Sequence, residues 1–129
     1  NRYRQLGYVL ITCNEPDKAI KHLNLALRLE PNAKNVEIKQ MIIAAHMFKR
    51  NYEKALMVGE DFIEQGLEDK STKNLVAFIH LLKGDFKNAK IYSSALMETE
   101  QINPEDIKKI ANLCGYFCST FYENNNGIR

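Results

Sequence analysis

The sequence predicts an all-α protein built from stacked helical hairpins, and three observations carry that prediction. Apolar residues recur with helical spacing along most of the chain, and no segment alternates with period two for long enough to make a strand. Gly and Pro are sparse, six and three in 129 residues, which leaves an all-β fold short of turns. A short motif also returns at a near-constant period: Asn14-Glu15-Pro16-Asp17-Lys18-Ala19, Arg50-Asn51-Tyr52-Glu53-Lys54-Ala55 and Gly84-Asp85-Phe86-Lys87-Asn88-Ala89. The closing alanines are 36 and then 34 residues apart, the mark of an array in which each hairpin buries its apolar face on the next.

Taken in order, the first helix covers about Arg2 to Cys13, and Pro16 opens the second, where its missing N–H costs nothing. Ala19, Ile20, Leu23, Ala26 and Leu27 form that helix's apolar stripe, which stops near Pro31-Asn32. A third helix, about Asn35 to Lys49, is apolar over more of its circumference. The fourth runs from about Tyr52 to Gln65, and Gly66 supplies a left-handed stop. Asp69 or Ser71 caps a fifth helix ending at Gly84, and a sixth covers about Asp85 to Thr99. Asn103-Pro104-Glu105-Asp106 is a strong start: a cap, Pro at the first position, and two acids facing the macrodipole. From there one continuous helix is expected to about Glu123. Its stripe of Ile107, Ile110, Ala111, Cys114, Phe117, Cys118 and Phe121 suits a cap packed on the third hairpin.

Composition narrows the function. Eighteen Lys and Arg against sixteen Asp and Glu leave a net charge of +2, without the clustered excess expected of a nucleic-acid binder. With 45% hydrophobic and 26% charged residues the chain is an ordinary folded domain, and its length suits one domain over 1–129. No apolar run is longer than that from Met41 to Ala45, far short of the about eighteen residues a membrane span needs, so no membrane insertion is expected. Three cysteines, Cys13, Cys114 and Cys118, have no framework spacing and read as reduced thiols, which leans towards a cytoplasmic location. Cys114 and Cys118 share a helix face but aim poorly for a bridge. Because the chain opens inside a helix, we expect it to be part of a longer protein.

The first repeat resembles the tetratricopeptide repeat family. It matches that family's pattern at Tyr3, Leu6, Gly7, Ala19, Leu23, Ala26 and Pro31, with Leu10 in place of the second aromatic. Later repeats keep the turn and its Ala but carry Ile42-Ile43 and Val76-Ala77 for Leu-Gly. Large and small residues also change places, Leu23 and Ala26 becoming Gly59 and Phe62, then Ser93 and Leu96, a volume-conserving exchange that repacking absorbs. The resemblance covers residues 1 to 101, with repeats at about 1–33, 34–69 and 70–101. It implies a right-handed superhelical array of three helix-turn-helix repeats, followed by the C-terminal capping helix at about 104–123.

No Gly-rich phosphate loop, metal-binding His-Glu helix or nucleophile elbow is present, so neither an enzyme nor a cofactor is expected. His46 and His80, 34 residues apart, share the register of the second aromatic; packing is the simpler reading, a metal pair the other. His22 sits among polar neighbours and reads as exposed. The resemblance places the ligand groove on the first helix of each pair. By register it includes Arg4, Tyr8 and Ile11, then Gln40, Met41, Met47 and Phe48, then Asn74, Phe78 and Leu82. The positions with which family members grip terminal carboxylates hold Arg4, Tyr8, Met41, Ser71 and Leu75, so chaperone-tail binding is disfavoured. The expected function is a non-catalytic scaffold gripping a peptide or helix of a protein partner in an apolar groove, with interior packing as the competing role for these side chains. A homo-oligomer paired through the terminal helices is the alternative.

Overall fold

A computed structural model of the chain describes residues 2–29, 36–66, 70–96, 100–101, 103–114 and 116–123. Their regular structure is entirely helical: α1 (Arg2–Thr12), α2 (Pro16–Leu29), α3 (Val36–Phe48), α4 (Tyr52–Glu64), α5 (Lys70–Leu82), α6 (Phe86–Tyr92), a 3₁₀ turn (Ser94–Leu96), α7 (Pro104–Cys114) and α8 (Tyr116–Tyr122). The chain divides into two compact units, residues 1–67 and residues 68–129.

The recurring motif folds the same way three times. Asn14, Arg50 and Gly84 each adopt a left-handed conformation, with φ of 61°, 62° and 79°. Around each, one N–H returns to the carbonyl three residues back and the next N–H to the carbonyl five residues back. The pairs are Asn14→Ile11 with Glu15→Leu10, Arg50→Met47 with Asn51→His46, and Gly84→Leu81 with Asp85→His80. This is the Schellman ending, which satisfies carbonyls that a helix terminus would otherwise orphan. The following residue starts the next helix: Asn51 Oδ1 accepts from the Lys54 amide at 3.3 Å, and Asp85 Oδ1 from the Asn88 amide at 3.1 Å. Ala19, Ala55 and Ala89, the motif's last residues, are all fully buried where each hairpin closes.

In the first unit α1 packs on α2, α2 on α3, and α3 on α4, while α1 also touches α3. The approach of α1 to α2 is set by Gly7, where an added Cβ would lie 2.5 Å from Leu23 Cδ2 and 2.6 Å from its Cγ. Gly7 is thus required by contact, since Leu23 is fully buried and fills the place a side chain would take. Gly66 closes α4 at a φ of 82°, as the sequence predicts.

In the second unit α5 packs on α6 and α7, and α7 on α8. Two expectations are corrected here. The sixth helix ends at Tyr92, not near Thr99: Ser93 turns extended (φ −125°, ψ 118°) and the chain resumes as a 3₁₀ turn. Serine is a weak helix former whose hydroxyl seeks local partners, and here Ser93 Oγ donates to Asn74 Oδ1 at 3.0 Å, fully inside. The last helix is a hairpin, not one rod. Ser119 Oγ donates to Asn112 Oδ1 at 2.9 Å, and Tyr122 Oη donates to the Pro104 carbonyl at 3.2 Å, which folds α8 back along α7. Gly115, the poorest helix former short of proline, stands in the sequence between the two.

The start of α7 is as expected, with Asn103 Oδ1 accepting from the Asp106 amide at 2.9 Å. Ser71 lies inside α5 and does not cap it. The stop at Pro31-Asn32 and the cap at Asp69 fall outside the described residues.

Candidate functional site

The groove residues divide into two groups. Ile11, Met41 and Phe78 are buried, as is Met47, and the last two of these expose nothing (Phe78 0%, Met47 0%). Enclosed in this way they pack as core, the role that competes with anchoring a ligand. The reason is visible in the sequence: α3 and α5 are apolar over most of their circumference, and such helices are covered on most sides. Tyr8 keeps 42% of its surface exposed. Gln40, Phe48 and Leu82 are partly exposed, Asn74 is buried, and Arg4 lies on α1. The residues from α1 and α3 belong to the first unit and those from α5 to the second.

Around Tyr8, α1 exposes more apolar surface. Leu6 and Val9 stand in water together with Gln5, Thr12 and Cys13, while Gly7 and Ile11 face inward. This face mixes one aromatic, two aliphatic and several polar side chains. Such surface suits contact with another protein.

The second unit holds a cleft of about 470 Å³ that the sequence reading did not anticipate. Lys70, Lys73 and Asn74 of α5 line one side; Lys90, Ile91 and Tyr92 of α6 line the other, with Ser94 just beyond the break at Ser93. Tyr92 is held as a wall: the His80 ring stacks on it at 5.7 Å with planes 11° apart. His80 Nδ1 in turn stands 4.0 Å from Asp85 Oδ2. Asp85 is itself fixed by Asn88, whose side-chain amide donates to Oδ2 at 2.6 Å. The Asn88 side chain, then its backbone amide, hold the Asp85 carboxyl below its ordinary value, with His80 and Lys83 adding smaller effects. Lysine is too common in this chain for the i, i+3 pair Lys70 and Lys73 to have signalled a site from sequence.

The remaining chemistry-bearing groups are dispersed. His46 is buried, its Nδ1 has no hydrogen-bond partner among the described residues, and burial followed by Lys49 and Lys54 lowers its pKa. Lys49 is paired with Asp17 at 2.6 Å, which ties α2 to the end of α3. His46 and His80 belong to different units, and among the described residues no group of three His, Cys, Asp or Glu is arranged to hold a metal. His22 is half-buried, not exposed as expected. All three cysteines are free thiols; burial, then a hydrogen bond with Cys114, pushes the Cys118 thiol well up. No described helix is long and apolar enough to cross a membrane.

No family model, curated protein or solved structure matches this chain.

Proposed function

We propose that the chain is a non-catalytic scaffold of the tetratricopeptide-repeat kind, three helix-turn-helix repeats in a right-handed superhelical array, that binds a peptide or helix of a protein partner. The observation that carries this reading is the turn built three times, with a left-handed residue at the same position, the same pair of hydrogen bonds and a buried Ala. Joints of one geometry at a near-constant period generate stacked hairpins, and stacked hairpins present continuous surface with little other machinery. The binding surface we assign differs from the sequence expectation. It centres on exposed Tyr8, with Leu6, Val9 and the partly exposed Gln40 and Phe48, because the buried Met47 and Phe78 are committed to the core.

The test is a pull-down comparing the native chain with a Tyr8→Glu, Val9→Glu variant whose helicity by circular dichroism matches native. A partner kept by the first and lost by the second supports the α1 surface; recovery of the same proteins by both removes it. Exposed Leu6 and Val9 also favour a second reading, pairing of two copies through α1. Sedimentation at rising concentration separates the two: a mass that doubles, and stays single in the variant, selects self-association.

A further inference from the structure

The cleft between α5 and α6 is built from hydrogen-bond donors and positive charge. Among the described residues its lining includes three lysines, Lys70, Lys73 and Lys90, and no carboxylate, the Lys90 ammonium resting 5.3 Å over the Phe86 ring. Among the described residues neither Lys70 nor Lys73 has an ion-pair partner. The equivalent of Lys73 one hairpin earlier, Lys39, behaves differently: its ammonium rests 5.0 Å over the Phe62 ring. Where that hairpin has Phe62, this one has Leu96, which offers no π face.

Asn74 adds a second, independent indication. It lines the cleft but is only 6% exposed, and its Oδ1 is occupied by the Ser93 hydroxyl at 3.0 Å. With that oxygen engaged, the amide hydrogens on Nδ2 have no acceptor among the described residues. A buried amide pinned by its oxygen presents fixed donors, which is how a site orients an oxyanion. Ser94 contributes a hydroxyl at the rim, and Ile91, 69% exposed, a neighbouring apolar edge.

We propose that this cleft binds a small phosphate-bearing organic anion carrying two or more negative charges. Its phosphate oxygens accept from Asn74 Nδ2 and from the ammonium groups of Lys70 and Lys73, and its carbon skeleton lies along Tyr92 and Ile91. Lysine serves phosphate as a mobile point charge, which suits a rounded multi-oxygen anion better than a planar carboxylate. The volume falls in the range of about 300–1,000 Å³ typical of small-molecule sites.

The probe is inorganic pyrophosphate, titrated into the native chain at low ionic strength. Calorimetry reads the affinity, and ¹⁵N–¹H spectra locate the site. Saturable one-to-one binding is expected, with amide shifts concentrated at residues 70–74 and 90–94 and weakening as salt is added. Asn74→Asp keeps an acceptor for Ser93 while replacing the donors with a negative charge, and is expected to weaken binding by about tenfold or more. A Lys70→Gln, Lys73→Gln variant alters only side chains at the cleft mouth and is expected to do the same, whether or not Asn74→Asp folds. Lys39→Gln, on the other hairpin, is expected to bind as native. Absence of saturable binding, shifts centred elsewhere, or native affinity in the double lysine variant overturns the proposal.

Discussion

The first and third hairpins share one turn and one register, yet they close differently. Between α1 and α2 the contact is Gly against Leu: Gly7 has no side chain and Leu23 takes its space. At the same two positions of the third hairpin stand Ala77 and Ser93, both buried, and the adjoining bond is polar, Ser93 to Asn74. The second helix of the pair then differs in length, fourteen residues in α2 against seven in α6. A hydrophobic plug lets the helix run on past the contact, whereas a buried hydroxyl with a side-chain partner pulls the backbone out of helical geometry. The same template is therefore a sealed core in one place and an open, donor-lined cleft in another.

The largest effect expected is at Phe78, because it separates core from groove. Truncation to Ala at a fully buried aromatic is expected to cost about 3–5 kcal/mol, read as a shift in the denaturant midpoint. A cost under about 1 kcal/mol would return Phe78 to the surface and contradict its burial.

Next comes a reciprocal exchange at the hairpin contacts. Gly7→Ala forces its Cβ into Leu23 and is expected to destabilise by about 1–3 kcal/mol. Ala77→Gly in the third hairpin removes one buried methyl and adds chain entropy, at about 1–2 kcal/mol. Adding Leu23→Ala to the first variant tests the cause: if the clash is the mechanism, the Gly7→Ala penalty largely disappears in that background. An unchanged penalty would place its origin in the backbone.

The turns themselves offer a smaller, stabilising change. Arg50 holds a left-handed conformation that Gly adopts without penalty at Gly84, so Arg50→Gly is expected to gain up to about 1 kcal/mol in thermal melts. Loss of stability would mean that the contacts of the Arg50 side chain, including its 3.3 Å bond from Nη1 to the Phe48 carbonyl, outweigh the strain.

The smallest effect concerns the two histidines that share a register. Burial first, then Lys49 and Lys54, hold His46 below the ordinary 6.5. The unfolded chain therefore takes up this proton before the folded one does. Stability falls as pH drops through the window from about 6.5 down to the lowered folded value, and is flat in this respect above it. His46→Phe, which restores the repeat's aromatic, is expected to flatten melting temperature against pH in that window. A slope identical to native would assign the dependence to other groups.

Much of this was legible in the amino-acid sequence. The three turns, the buried alanines, the Asn103 cap and the Pro16 start follow from residues whose preferences are local: backbone sterics at a left-handed position, a missing N–H, or an oxygen placed to accept. Burial was harder to assign. The periodicity of α3 and α5 shows that Met41, Met47 and Phe78 are on apolar helices, but a face turned to a groove and a face turned to a core have the same spacing. Only Tyr8 among the large apolar groove candidates stays well exposed.

The sequence by itself determined the helical class, the period and the joints, because each depends on interactions within a few residues along the chain. Tertiary structure alone decided where α6 stops, that α7 and α8 fold back on each other, and that a cleft opens beside Asn74. Those outcomes rest on partners 7 to 19 residues apart in sequence, Ser119 with Asn112, Tyr122 with Pro104 and Ser93 with Asn74. A serine read alone is a weak helix former; paired with a buried asparagine, it stands where the helix ends, beside a cleft.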